Sequence, residues 1–168
     1  MAAREVARGG LLAATAVALL YVGGIAPYIA PACCIAAGVT VALPLLRRAQ
    51  LRTAVLCYAA AVVLGALVAP RKSLVVAYAL LTGLYPILKY LIEGRVPRPA
   101  QLAVKLVYAN LLLAVVGTLV ARGLFPQVVL PGFAKLAVLW FAAGVGFIIY
   151  DVAMSRLIAL LRASLPPE

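Results

Sequence analysis

Asp151 interrupts the apolar run Phe147-Ile148-Ile149-Tyr150, and the chain resumes at once into Val152-Ala153-Met154. It stands about ten residues, roughly 15 Å along a helix, before Arg162. Inside a bilayer a charged carboxylate costs about 3 kcal/mol on insertion scales, so it needs a partner or a proton. Lys89 and Lys105, toward the inner ends of the fourth and fifth apolar stretches, are the candidate partners. Lys89 and Glu93 are four apart and share a helix face, in the weaker order for such a pair. Asn110 lies deeper in the fifth stretch and can hydrogen-bond across helices. These residues predict an intramembrane polar cluster of Lys89, Glu93, Lys105, Asn110 and Asp151, with Arg156 at its edge. Three roles stay open to it: a satisfied knot that fixes helix register, a proton or ion relay, or an element of conformational coupling. A relay is the least supported of the three, because no chain of acids continues across the membrane.

Other chemistry is poorly provided for. The sequence holds no histidine and only four acids, two of them Glu5 and Glu168 near the ends. It has no G-x-S-x-G nucleophile turn and no phosphate-cradling glycine loop, so no enzymatic activity is expected. Cys33, Cys34 and Cys57 are too few for a zinc site, which takes about four ligands. Neighbouring cysteines also make poor disulfides, and all three read as small apolar side chains. Neither a metal nor a cofactor is expected. A different group, Tyr78, Thr82, Thr118, Trp140 and Phe141, puts aromatic rings and a few hydroxyls toward the outer half. Such walls suit a flat, small organic ligand, and the same rings would equally serve as membrane-interface anchors.

The elements that position these residues follow from composition. Of the 168 residues 67% are hydrophobic and 11% charged, with a mean hydropathy of +1.17. No water-soluble core absorbs so much apolar surface, and the chain reads as a single transmembrane domain embedded in a lipid bilayer. A crossing takes about 20 apolar residues, which predicts six helices over 9–26, 32–46, 53–69, 74–92, 101–121 and 133–161. The fold class expected is therefore all-α, a polytopic six-helix membrane bundle.

Charge sets the orientation. A net charge of +11 would suggest nucleic acid in a soluble protein, but here the basic residues sit at the breaks and no nucleic-acid partner is expected. With the N-terminus inside, eleven of the 15 Lys and Arg residues fall on the cytoplasmic side, where they meet anionic head groups, and four (Arg71, Lys72, Arg122 and Lys135) fall outside. That bias predicts both termini in the cytoplasm of a multi-pass cell-membrane protein. Arg4 and Arg8 before the first stretch resemble the start of a signal peptide, but five further apolar segments favour a retained helix.

Gly10, Ala14 and Ala18, four apart, form a small-residue stripe suited to close helix contact, either within the bundle or with a partner. The uncharged segment 21–31 holds Gly23, Gly24, Pro27 and Pro31, expected to loosen and end the first helix and to form either a lid or an interfacial turn. Pro44 is expected to bend or end the second helix, and Ser73 to cap the fourth. The break 122–132 is again largely apolar, so two outer loops of this character could together roof a pocket.

In length, helix number, cytoplasmic termini, the first helix Gly10-Leu11-Leu12-Ala13-Ala14-Thr15-Ala16-Val17-Ala18 and apolar first and fifth loops, the chain resembles the substrate-binding S components of energy-coupling factor vitamin transporters. It also looks like small bacterial membrane proteins that share Tyr85-Pro86-Ile87-Leu88-Lys89 and Tyr150-Asp151-Val152-Ala153-Met154-Ser155-Arg156. The first resemblance implies an S-component fold, docking of the Gly10, Ala14 and Ala18 face onto a membrane coupling subunit, and a small-ligand pocket near Tyr28, Tyr78, Gln127 and Trp140. It implies ATP use by associated ATPases and not by this chain. The alternative class is a non-transport scaffold or assembly protein.

Overall fold

The computed structural model describes residues 3–48, 50–122 and 133–164, with side chains described for 5–45, 50–120, 122 and 137–160. Gln127 and the rest of the fifth break from 123 to 132 lie outside the described residues. The architecture is all-α: α1 (Ala3–Ile25), α2 (Ala30–Arg48), α3 (Leu51–Val68), α4 (Lys72–Ala77), a π-helical turn (Tyr78–Gly83), α5 (Tyr85–Arg95), α6 (Arg98–Ala121) and α7 (Phe133–Ser164), with no strand among the described residues. In hydrocarbon each backbone N–H and C=O needs a partner, and a helix supplies it within the segment. Among the described residues five segments are long and apolar enough to cross a membrane: Glu5–Ile25, Leu51–Val68, Lys72–Arg95, Arg98–Val120 and Ala137–Leu160. Ala30–Leu45 is a shorter apolar helix.

The chain forms two compact units, Met1–Gly94 and Arg95–Glu168. In the first, α1 packs against α2 and α3, and the π turn packs against α2. Its core is Ala13, Ala16 and Leu20 of α1, Cys34, Ala37, Val41 and Leu45 of α2, Ala54, Cys57 and Ala61 of α3, with Tyr78 and Ile87. Spacings of three and four put each set on one helix face. The many alanines let the axes approach closely, which matters most where the solvent is itself apolar.

Glycines mark the tightest approaches. A Cβ on Gly38 would overlap the Thr82 carbonyl, and one on Gly23 would lie 2.9 Å from Cys33 Cβ. One on Gly24 would lie 2.8 Å from Pro70 Cγ. The expectation that Gly23 and Gly24 loosen the end of the first helix is therefore corrected: α1 runs through both to Ile25, and they are buried contact points. At the other end of α1, Gln50 Nε2 donates to Glu5 Oε1 at 2.7 Å and ties the starts of α1 and α3 together.

Two prolines behave differently. Pro44 lies inside α2 without ending it, since the helix continues to Arg48. Pro86 leaves a larger mark on the span Lys72–Arg95, which the sequence predicts as a plain helix over 74–92. Having no N–H, Pro86 cannot bond the Thr82 carbonyl four residues back, and its ring crowds that oxygen. Just upstream the helix widens into the π turn Tyr78–Gly83. Ser73 does not cap this span, which has Arg71 at its N-cap and no side-chain cap bond. Lys72 acts instead on the preceding helix: its Nζ donates to the carbonyls of Ala66 at 2.5 Å and Leu67 at 3.4 Å, groups that the last turn of α3 leaves unpaired.

The second unit is a pair of long helices. α6 begins at Pro97 and Pro99, where a missing N–H costs no helix bond, and α7 runs for 32 residues. The two pack together through the Tyr108 and Phe147 rings, 6.3 Å apart, and through the polar contacts described below.

Candidate functional site

Tyr78 is fully buried, at 0% exposure, in the core of the first unit. The wide turn that carries it is held from both sides by side chains of neighbouring helices. From α3, Tyr58 Oη donates to the Ala79 carbonyl at 3.1 Å, and its ring lies 6.3 Å from that of Tyr78. From α2, the Cys34 carbonyl accepts from Thr82 Oγ1 at 2.9 Å, and Cys34 Sγ lies 3.3 Å from the same hydroxyl. Thr82 is thus pinned at Cys34 by its side chain and at Gly38 by its backbone, one turn apart on α2. The hydroxyl-bearing end of the Tyr78 ring lies over Gly83, where a Cβ would stand 2.9 Å from Tyr78 Cζ.

The Tyr78 hydroxyl itself has no hydrogen-bond partner among the described residues. Tyr58, whose ring is its neighbour, already donates to the Ala79 carbonyl, and Cys34 is engaged with Thr82. A buried polar group left without a partner costs about 1–3 kcal/mol. Such groups in a native fold call for an explanation.

The charged residues form pairs. In the first unit Lys89 Nζ lies 3.0 Å from Glu93 Oε1 and 5.9 Å from the centroid of the buried Tyr85 ring; Lys89 is only 2% exposed. In the second unit Lys105 Nζ, also buried, donates to both Asp151 carboxylate oxygens at 3.1 Å. Asp151 therefore has one of its two expected partners, Lys105, within its own unit. Asn110 hydrogen-bonds across helices as expected, with Trp140 of α7 as its partner: its Oδ1 accepts from Trp140 Nε1 at 2.9 Å, and its Nδ2 donates to the Leu106 carbonyl at 2.8 Å.

The four residues expected to line a ligand pocket have different surroundings. Tyr78 is buried, whereas Tyr28 is 96% exposed at the turn between α1 and α2. Trp140 belongs to the second unit, where it bonds Asn110, and Gln127 lies outside the described residues. On α1, Gly10, Ala14 and Ala18 are all exposed, while Ala13, Ala16 and Leu20 face the core. Nothing lies within 4 Å of a Cβ built on Gly10. The three cysteines are free and buried, and no group of three or more metal-ligating side chains occurs among the described residues.

Sequence reasoning missed the π turn and its clasp to Cys34 and Tyr58. The signal was present in Tyr85-Pro86, a proline deep inside an apolar stretch, which frees a carbonyl one turn upstream. No family model matches the chain, and neither a curated protein nor a solved structure matches it.

Proposed function

We propose that this chain crosses the cell membrane six times with both termini in the cytoplasm and serves as the solute-binding subunit of a small-molecule uptake transporter. In this reading α1 docks onto a membrane coupling subunit, and associated ATPases supply the energy. The observation that carries it is the division of α1 into two small-residue faces. Ala13 and Ala16 are used up in the core, while Gly10, Ala14 and Ala18 stay exposed along a parallel line. Small side chains on a lipid-facing surface gain little from lipid, but they let a second helix approach closely.

Two further points bear on the reading. The apolar part of α2, Ala30–Leu45, is about 24 Å long, so a sixth crossing by α2 requires local thinning of the roughly 30 Å of hydrocarbon. Lys72, an exception to the charge bias, has its own structural task at the end of α3, which removes one of the four basic residues counted against the orientation.

Native mass spectrometry of the protein in lipid nanodiscs, prepared from the cells that make it, tests the proposal. A retained small molecule together with a coupling subunit is the expected result. Retention of neither would favour the scaffold alternative and end the transport reading. Fusing a periplasmically active phosphatase to each terminus tests the topology: both fusions should be inactive.

A further inference from the structure

We infer that the open end of the α6–α7 seam, where Arg95, Arg98 and Arg156 stand, binds the phosphate of one anionic membrane lipid. The inference goes beyond the solute-binding reading and needs only that both helices cross the bilayer, for which each is long and apolar enough. Three contacts set their register: Asn110 with Trp140, Tyr108 with Phe147, and Lys105 with Asp151. Positions fall along α6 as they rise along α7, so the two helices run antiparallel. Seven residues back along α6 from Lys105 and seven on along α7 from Asp151, Arg98 comes level with Ile158, two residues past Arg156. Arg98 also shares a line of α6 with Lys105, Ala109 and Leu112, which are buried. It marks the end of that line, where α6 begins.

No acid offsets these arginines. All three are exposed, and none makes a hydrogen bond or ion pair with a described residue. From Arg95 onward the sequence holds seven Lys and Arg residues against two acids, Asp151 and Glu168. Asp151 is taken by Lys105, and it lies five residues, about 7.5 Å, deeper along α7 than Arg156. Glu168 lies outside the described residues. Glu93, two residues before Arg95, pairs with Lys89 in the first unit. The start of α6 adds to the excess, because its first turn has neither an acid nor a side-chain cap and the positive end of its dipole lies beside Arg98. Gln101 Nε2 donates to the Val96 carbonyl at 2.9 Å and so holds the link between Arg95 and Arg98 against that first turn.

A phosphate suits this arrangement in two ways. The planar guanidinium fork takes two phosphate oxygens at once, and a helix start favours an anion. A lipid supplies that phosphate better than solution does. Exposed arginines at the rim of two membrane-spanning helices stand at head-group depth, and the acyl chains keep the head group there at high effective concentration. The first unit differs at its own basic end, where Arg8 and Arg52 share their surroundings with Glu5, the acid that Gln50 holds between α1 and α3. Arg8 and Arg52 are exposed as well, which makes them the controls.

Lipid-stripped protein in detergent, titrated with dioleoylphosphatidylglycerol or with dioleoylphosphatidylcholine and read by native mass spectrometry, tests the site. The expected result is one phosphatidylglycerol bound about tenfold more tightly than phosphatidylcholine. Arg98→Gln and Arg156→Gln should each reduce that preference about fivefold, the size of one basic contact with an anionic lipid. Arg8→Gln and Arg52→Gln should change it by less than about twofold. Equal losses in all four variants would show attraction to the charge of the whole chain and overturn the site, as would no preference for phosphatidylglycerol in wild type. Displacement of the bound lipid by millimolar inorganic phosphate would assign the arginines to the free anion and overturn the lipid as occupant. All four replaced side chains are exposed, so the variants are expected to fold as wild type does.

Discussion

The two units of this chain differ in what leads the contacts between helices: small-residue packing in the first, where the Gln50–Glu5, Tyr58–Ala79 and Thr82–Cys34 bonds assist it, and long polar side chains in the second. In Met1–Gly94 the contacts are short and made by small residues: alanines at the α1, α2 and α3 seams, and glycines where backbones meet at Gly23, Gly24 and Gly38. In Arg95–Glu168 long side chains span between α6 and α7, with Lys105 reaching Asp151 and Trp140 reaching Asn110, while glycines 117, 144 and 146 have nothing within 4 Å of a built Cβ. Both are solutions to the same problem. Where burial of apolar surface drives little, association relies either on close packing or on polar bonds that lipid cannot replace. The first unit also carries the buried π turn, which small-residue packing holds in register.

That contrast can be broken at both ends. The largest effect is expected from Gly38→Val, because the first added carbon already overlaps the Thr82 carbonyl and neither backbone can retreat. A loss above about 4 kcal/mol is expected, read as absence of a monodisperse folded species in detergent. Asp151→Ala comes next, at about 3 kcal/mol, since it leaves the buried Lys105 cation without its carboxylate. The double change Lys105→Leu with Asp151→Leu should recover most of that loss in a reversible unfolding assay. If the double variant is as unstable as the single one, the pair does more than join two helices. Trp140→Phe removes one interhelical hydrogen bond and should cost about 0.6 kcal/mol. Smallest of all, Ala14→Leu with Ala18→Leu should leave thermal stability unchanged, because both positions are exposed.

How far the sequence could be read differs between helices and faces. Apolar length alone located the helical stretches, and the cost of a charge in lipid put Lys105, together with Lys89, forward as a partner for Asp151; the fold shows the Lys105 contact. The four-residue spacing of Lys89 and Glu93 anticipated their ion pair. What could not be read was which face of a helix packs. On α1 the lines Ala13–Ala16 and Gly10–Ala14–Ala18 are equally small and apolar, and a helix apolar all round carries no polarity signal to choose between them. The same uniformity hid the burial of Tyr78, which sequence reasoning assigned to a pocket wall, and the diversion of Asn110 from the charged residues to Trp140. Gly23 and Gly24 were legible as backbone anomalies, but whether they end a helix or receive a neighbour depends on Cys33 and Pro70, which only the fold brings near.

The exposed line on α1 carries the functional proposal, and one measurement addresses it directly. Wild-type protein and the Ala14→Leu with Ala18→Leu variant, each tagged and extracted from the cells that make it, are compared for co-purifying membrane proteins, melting temperature and retained small molecule. The expected result is that wild type brings down a coupling subunit with its ATPases, while the variant loses that complex yet melts at the same temperature and retains the same molecule. Recovery of the same partners by both proteins would contradict the account.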